Sequence, residues 1–203
     1  MANLAIPKLF HRIWIGNNPM PQEYIEYGET WTKYHPDWKM ILWTDQNMIP
    51  LQNQDLYDQA HIMAMKADIA RYEILYRFGG IYLDTDFECL KNIEPLLDNI
   101  EAFAASEDNY YISIGIMGCT FGNQIFETII NQLPKSVEDY KFTSPSCQTG
   151  PAFITRILKD NPLLDVFEKD LFYPYYYTEL DKRNESFPNA YAVHHWAASW
   201  FKE

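Results

Sequence analysis

The stretch from His61 to Asp86 constrains this chain more than any other part of it. Met63, Ala67, Ala70, Ile74 and Phe78 recur at three- and four-residue intervals, the spacing that lines up apolar side chains on one helical stripe. A helix over 61–78 is therefore predicted. Gly79-Gly80 ends it, since glycine readily takes the backbone conformation that closes helices. Ile81-Tyr82-Leu83 follows at once as a short apolar strand and runs straight into Asp84-Thr85-Asp86. A helix joined to a strand through two glycines folds back beside it. Side chains on the helix can then reach the point where the strand stops.

The flanking segments extend this unit. An apolar, β-prone run over 8–15 ends in the turn signal Gly16-Asn17-Asn18-Pro19. A helix is predicted over 22–34, stopping at His35-Pro36, and a second strand over 39–44. Strand, helix and strand in that order predict an α/β fold whose first half is parallel. Further on, 102–105 and 110–118 read as strands, 123–133 and 151–159 as helices, 171–177 as a tyrosine-rich loop or strand, and 191–195 as the last strand. With 203 residues, 47% of them hydrophobic, the chain suffices for one compact domain, read as 1–203.

Charge narrows the possible partners. Sixteen basic residues against 28 acidic ones leave a net charge of −12, which repels a nucleic-acid backbone. A nucleotide-bearing ligand then requires a cation or a local arginine. Cys89, Cys119 and Cys147 are odd in number and match neither a disulfide framework nor zinc spacing, which points to a reducing compartment. The first eight residues do not read as a signal peptide, and no apolar run approaches the ~20 residues of a membrane span. The expectation is a cytoplasmic protein with at most peripheral contact at the inner face of a membrane.

Asp84 and Asp86 carry the chemistry. Residues i and i+2 of an extended chain point the same way, so the two carboxylates repel unless a cation or protons intervene. The C-terminal end of a strand in an open α/β sheet is also where ligands gather. A divalent ion on hard oxygen ligands, completed by phosphates, satisfies both conditions. For Asp-x-Asp alone an acidic surface turn is the commoner reading. What shifts the balance is Asp68 and Arg71, one helical turn apart just upstream. A dehalogenase-type phosphotransferase wants Thr or Val where this chain has Glu88. An EF-hand loop counted from Asp84 meets Cys89 and Pro95 where it needs Gly and Glu.

Lys66-Ala67-Asp68-Ile69-Ala70-Arg71-Tyr72, continued by Phe78-Gly79-Gly80-Ile81-Tyr82-Leu83-Asp84-Thr85-Asp86, resembles the core of the DXD-containing glycosyltransferases of family 32. The large clostridial glucosylating toxins have a related core. The opening segment from Ile6 to Gly16 and the closing His194-His195-Trp196-Ala197-Ala198-Ser199-Trp200 resemble that family's first strand and last motif. The resemblance implies a GT-A fold, a Rossmann-like mixed sheet with flanking helices. It also implies a nucleotide-sugar donor (a UDP-sugar favoured), Mn²⁺ or Mg²⁺, a glycan or lipid-linked saccharide acceptor, and retention of anomeric configuration.

Carried over residue by residue, it implies that Trp14 stacks on the base, with Tyr82 nearby at the nucleotide. Asp68 and Arg71 contact the donor sugar, and Asp84 reaches the ribose, the sugar or a metal-bound water. Asp86 ligates the metal, with His195 as third ligand and His194 as its competitor. Ser199 and Trp200 close over the diphosphate. Gln148-Thr149-Gly150-Pro151 resembles a loop near the donor or acceptor. Ser113-Ile114-Gly115-Ile116 departs from the pattern, lacking a carboxamide that relatives often place there. Tyr173, Tyr175, Tyr176 and Tyr177, if exposed, offer faces on which an acceptor sugar stacks. A nucleotide-sugar hydrolase using the same site, the phosphotransferase on Asp84, and a carbohydrate-binding module without turnover are the competing readings.

Overall fold

A computed structural model describes residues 4–197. Ser199 and Trp200 lie outside the described residues. The chain opens with β1 (Leu9–Ile13), α1 (Gln22–Tyr34) and β2 (Lys39–Trp43), the parallel unit expected, with Leu9 opposite Lys39 and Ile13 opposite Trp43. Next come α2 (Gln54–Gln59), α3 (Met63–Phe78), β3 (Gly80–Leu83) and β4 (Phe87–Cys89). After them the chain forms β5 (Ala102–Ser106), β6 (Ile112–Cys119), α4 (Gln124–Asp139), α5 (Pro145–Gln148), α6 (Pro151–Leu158), β7 (Asp165–Phe167) and β8 (Ala192–His194).

Departures from the sequence reading have local causes. α2, β4 and β7 span six, three and three residues, too few to show a period. α4 runs through Pro134 because Ile125, Phe126, Ile129, Ile130 and Leu133 bury one stripe strongly enough to outweigh the lost hydrogen bond. Of the two readings of the tyrosine-rich segment, the structure takes the loop: irregular chain follows a short helical turn at Lys169–Leu171.

Six strands form the central sheet in the order β2-β1-β3-β6-β5-β7. β1 is parallel to β2 and β3; β6 is antiparallel to β3 and β5; β7 is parallel to β5. All residues of β3 and β6 are buried, as strands covered on both faces must be. Tyr82, Ala102, Ala104 and Met117 join the core on the face packed by α3 and α4, while Ile81, Leu83, Phe103 and Ile116 join the core on the other face, with Trp31 of α1.

β6 carries an irregularity that shapes the site. Ala104 pairs with Met117, but Ala105 pairs with Ser113, so Ile114, Gly115 and Ile116 have no partner on β5. A bulge of this kind re-aims the backbone next to it. Here it presents the Ile114 and Gly115 carbonyls toward the end of β3, where both accept hydrogen bonds.

The entry into β3 is equally exacting. Gly79 and Gly80 have φ of 63° and 90°, and a Cβ on Gly80 would run into the Leu9 carbonyl oxygen of β1. Gly80→Ala combines left-handed strain with a backbone clash. It should lower unfolding free energy by at least about 2 kcal/mol, seen as a fall in the urea midpoint at unchanged slope.

Candidate active site

β3 ends at Leu83 and the chain turns through Asp84, Thr85 and Asp86 into β4. The expectation of extended backbone here is corrected: the Phe87 amide donates to the Asp84 carbonyl at 3.2 Å and closes a turn, while the Asp84 amide donates to the Gly115 carbonyl at 2.8 Å. Arg12 pins the turn from β1, its Nη2 donating to the Thr85 and Tyr24 carbonyls, each at 2.6 Å. The turn still brings the carboxylates together. His194 Nε2 lies 3.1 Å from Asp86 Oδ1 and 3.8 Å from Asp84 Oδ2. One ligand-type atom from each of these three residues falls within 4.8 Å of the others.

The direction in which each imidazole points decides which histidine meets the aspartates. β8 runs antiparallel to β4 with His194 opposite Phe87 and Val193 opposite Glu88. Neighbouring residues on a strand face opposite sides, so His195 shares the side of Glu88, while His194, on the side of Phe87, reaches Asp86 because that residue lies in the turn before β4 rather than in the strand. His195 Nε2 sits 2.9 Å from Glu88 Oε2, its Nδ1 lies 3.1 Å from the Tyr175 hydroxyl, and its ring stacks on Tyr27 at 4.5 Å. Of the two candidate histidines, His194 is the one whose imidazole meets the aspartates, while both ring nitrogens of His195 are engaged away from them. Its backbone still contributes, the amide donating to the Asp86 carbonyl at 3.0 Å. His194 Nδ1 is buried without a partner among the described residues, and Nε2 is the nitrogen that faces the carboxylates.

Charge in this corner is unevenly shared. Burial opposes ionisation of Asp86, but the adjoining His194, by charge and hydrogen bond, and the Ala197 amide at 2.8 Å hold its pKa down at about 2. Burial likewise disfavours protonated His194, and Asp86 outweighs it, so the imidazole pKa is raised. Asp84 goes the other way: burial raises its pKa, Arg71 pulls it down and the Asp86 charge raises it again.

Arg71 is the hub on the opposite side. Its Nη2 lies 2.9 Å from Asp68 Oδ1, its Nη1 lies 3.2 Å from Asp84 Oδ1 and donates to the Ile114 carbonyl at 2.8 Å. The guanidinium also stacks 4.4 Å above the Tyr82 ring. Tyr82 and Asp84 point the same way off the end of β3, and the Tyr82 hydroxyl donates to Asp84 Oδ1 at 2.8 Å. Asp68 takes the Thr149 hydroxyl at 2.8 Å; burial raises its pKa to about 6 against the pull of Arg71 and Thr149. Asp68, Arg71, Tyr82 and Asp84 therefore form one connected group, with Asp68, Arg71 and Tyr82 buried behind Asp84. Trp14 is half-buried after β1, donating to the Asn18 carbonyl at 2.8 Å and standing edge-on to Tyr24.

Sequence reasoning missed several partners. At Gly115, inside the departing segment, a Cβ would come within 2.9 Å of Asp84 Oδ2 and 2.8 Å of the Tyr173 hydroxyl. That hydroxyl hydrogen-bonds Ser113 Oγ at 2.5 Å, so tyrosine fills the space a longer side chain would need. Tyr173 and Tyr175 are both 1% exposed and pack into the core, so they offer no stacking face; Tyr177 is 54% exposed. Nothing periodic in the tyrosine run separates buried from exposed members.

Arg71→Met leaves Asp68 and Asp84 without their shared cation. Breaking a buried pair from one side costs about 3–5 kcal/mol, to be read in chemical denaturation. Arg71→Lys should recover part of that loss, since it keeps the charge and loses the fork.

Residues 21–104, which include Asp68, Arg71, Tyr82 and both aspartates, match the family described as glycosyltransferase sugar-binding region containing DXD motif. Inositol phosphoceramide mannosyltransferase 3 of Schizosaccharomyces pombe is 32% identical over 161 residues, covering 75% of this chain and 45% of that protein. The chain thus spans about half the length of the curated relatives it matches first. A glycosyltransferase of Acanthamoeba polyphaga mimivirus, uncharacterised, is 32% identical over 79% of this chain and 69% of its own length. The solved UDP-bound glycosyltransferase domain of the YGT toxin superposes with a TM-score of 0.60 at 10% identity, over 81% of this chain and 80% of that one. The fold is GT-A, and by sequence this chain belongs to the glycosyltransferase family whose sugar-binding region contains the DXD motif.

Proposed function

We propose that the chain moves a hexose from a nucleoside-diphosphate sugar to a hydroxyl of a glycan or lipid-linked saccharide, with a divalent cation held by Asp84, Asp86 and His194. The observation that carries this reading is the convergence of those three side chains at the mouth of β3. The donor set fits a cation on its own chemistry: two carboxylates and an imidazole crowd together, and the guanidinium of Arg71 pairs with Asp84 Oδ1. Mixed nitrogen and oxygen ligation favours Mn²⁺ over Mg²⁺. UDP in the toxin-domain structure supports a uridine nucleotide, and the mannosyltransferase relatives support a hexose. A relative named for inositol phosphoceramide supports a lipid-borne acceptor.

Bound there, a divalent ion supplies Lewis-acid stabilisation to the departing diphosphate. The protein groups do the rest by position. Arg71 and Tyr82 both hold Asp84 Oδ1, so the carboxylate is oriented and Oδ2 faces His194. The Ala197 amide fixes the second oxygen of Asp86. Asp68 and Arg71 act through Asp84 and through any sugar hydroxyl that reaches them, and such positioning supplies much of the rate in transfer reactions. With Asp84 tied on one side by a guanidinium and a phenol, it serves as a ligand rather than a nucleophile. Front-face attack by the acceptor hydroxyl, with retention, follows from that assignment.

Asp86→Asn keeps the shape and the Ala197 contact but removes the charge. It should cut Mn²⁺-dependent sugar transfer by at least about a hundredfold, with an unchanged far-UV circular dichroism spectrum. The assay is nucleoside diphosphate release from UDP-glucose, UDP-galactose and GDP-mannose with and without metal. Full metal-stimulated turnover by the variant is the result that would defeat the reading.

A further inference from the structure

The tip of the β5–β6 hairpin contributes a carboxylate that neither the DXD turn nor the helix supplies. Glu107 follows β5, its amide donating to the Tyr111 carbonyl at 3.1 Å, and the hairpin is held by Asp108, whose side chain accepts from the Tyr110 and Tyr111 amides at 2.7 and 2.6 Å. The loop that carries Glu107 is therefore built, not slack. Glu107 is half-buried and lies diagonally across the hairpin from Ser113 on the same face, since Ala105 pairs with Ser113 and Glu107 is two residues further on. Ser113 in turn holds the Tyr173 hydroxyl, and that hydroxyl adjoins the same point above Gly115 as Asp84. Ser113, Tyr173 and the Gly115 backbone thus lie between Glu107 and the DXD turn. Burial pushes its carboxyl up to about 7, with the His194 charge drawing it down and Asp108 and Asp84 opposing that. The group feels the cluster without belonging to it.

Aromatic rings lie beside it. Trp196 packs its ring against His194 at 4.6 Å and against Tyr173 at 5.6 Å, and its indole N–H is fixed on the Tyr175 carbonyl at 2.9 Å. Tyr176 and Tyr177 stand against Trp196 at 5.2 and 6.0 Å. Tyr176 is near enough to Glu107 for the Glu107 charge to raise its pKa, second only to burial. Tyr177, 54% exposed, opens this edge to solvent. Rings present apolar faces for the C–H side of a sugar, and an adjacent carboxyl accepts from its hydroxyls. The cation and diphosphate belong to the Asp84–Asp86 side, and a saccharide resting here would sit beside it, next to the Trp196 ring that packs on His194.

We propose that Glu107 is an acceptor-binding residue: its carboxyl takes a hydroxyl of the acceptor sugar, whose ring rests against Tyr176, Tyr177 and Trp196. This rests on the transferase reading above and adds to it the residue that recognises the acceptor. The occupant is a neutral saccharide, since a phosphate or carboxylate would be repelled by Glu107 and Asp108.

The test uses the full chain with Mn²⁺, a nucleotide sugar that it turns over, and methyl α-mannoside, methyl α-glucoside and methyl β-galactoside as surrogate acceptors. For Glu107→Gln, kcat/KM for the surrogate acceptor should fall about tenfold or more, mostly through KM. The donor KM and the thermal shift on adding UDP and Mn²⁺ should stay near wild type. Tyr177→Ala, at an exposed position, should raise acceptor KM in the same direction. An unchanged acceptor KM in Glu107→Gln overturns the proposal, and so does a donor KM that rises with it. Intact wild-type turnover beside an indifferent Glu107→Gln sinks this proposal alone. A wild-type chain that neither binds UDP with Mn²⁺ nor releases nucleotide sinks the transferase reading as well.

Discussion

Two carboxylates at the end of one strand repel each other, and this molecule is organised around relieving that repulsion. Arg71 approaches Asp84 from the helix that precedes the strand, and His194 approaches both aspartates from the chain's last strand. Close like charges raise each other's pKa unless a cation offsets them, and the outcome differs between the two. Asp86, beside His194 and an amide, is held firmly ionised, while Asp84 is raised. Two carboxylates of unequal proton affinity beside an imidazole make a corner suited to a cation, with one oxygen of each turned toward the same point.

Holding that corner requires the rest of the fold. Glycine at 79 and 80 lets α3 fold back so that Arg71 lies under Asp84. The bulge in β6 turns the Ile114 and Gly115 carbonyls inward, one accepting from Arg71 and the other from the Asp84 amide. β4 and β8, three residues each, tie residues 87–89 to the C-terminal strand and bring His194 across the whole sequence to Asp86. The long central strands make the core; the shortest pair makes the site.

The same division explains what the sequence reveals. α1 and α3 match their expected spans closely because a helix of thirteen or sixteen residues repeats its stripe several times. Asp68, Arg71 and Asp84 were legible as a group, since helical spacing and a Gly-Gly turn are both local features. The choice between His194 and His195 was not. It depends on how the Asp84–Asp86 turn presents its carboxylates once β8 has paired with β4, and β4 is too short to announce itself. Gly115 appeared as a missing carboxamide, yet its physical meaning is the hydroxyl of Tyr173, fifty-eight positions away in sequence and in contact only after folding. Glu107 carries no sequence signal at all. Its significance comes from Ser113 across the hairpin and from the rings that the C-terminal segment lays beside it.

The account stands or falls on which histidine completes the pair. Isothermal titration of Mn²⁺ into the UDP-saturated protein, compared across wild type, His194→Ala and His195→Ala, decides it. The geometry calls for loss of the Mn²⁺ isotherm in His194→Ala and its survival in His195→Ala. The reverse pattern, or undiminished Mn²⁺ binding in His194→Ala, would contradict it.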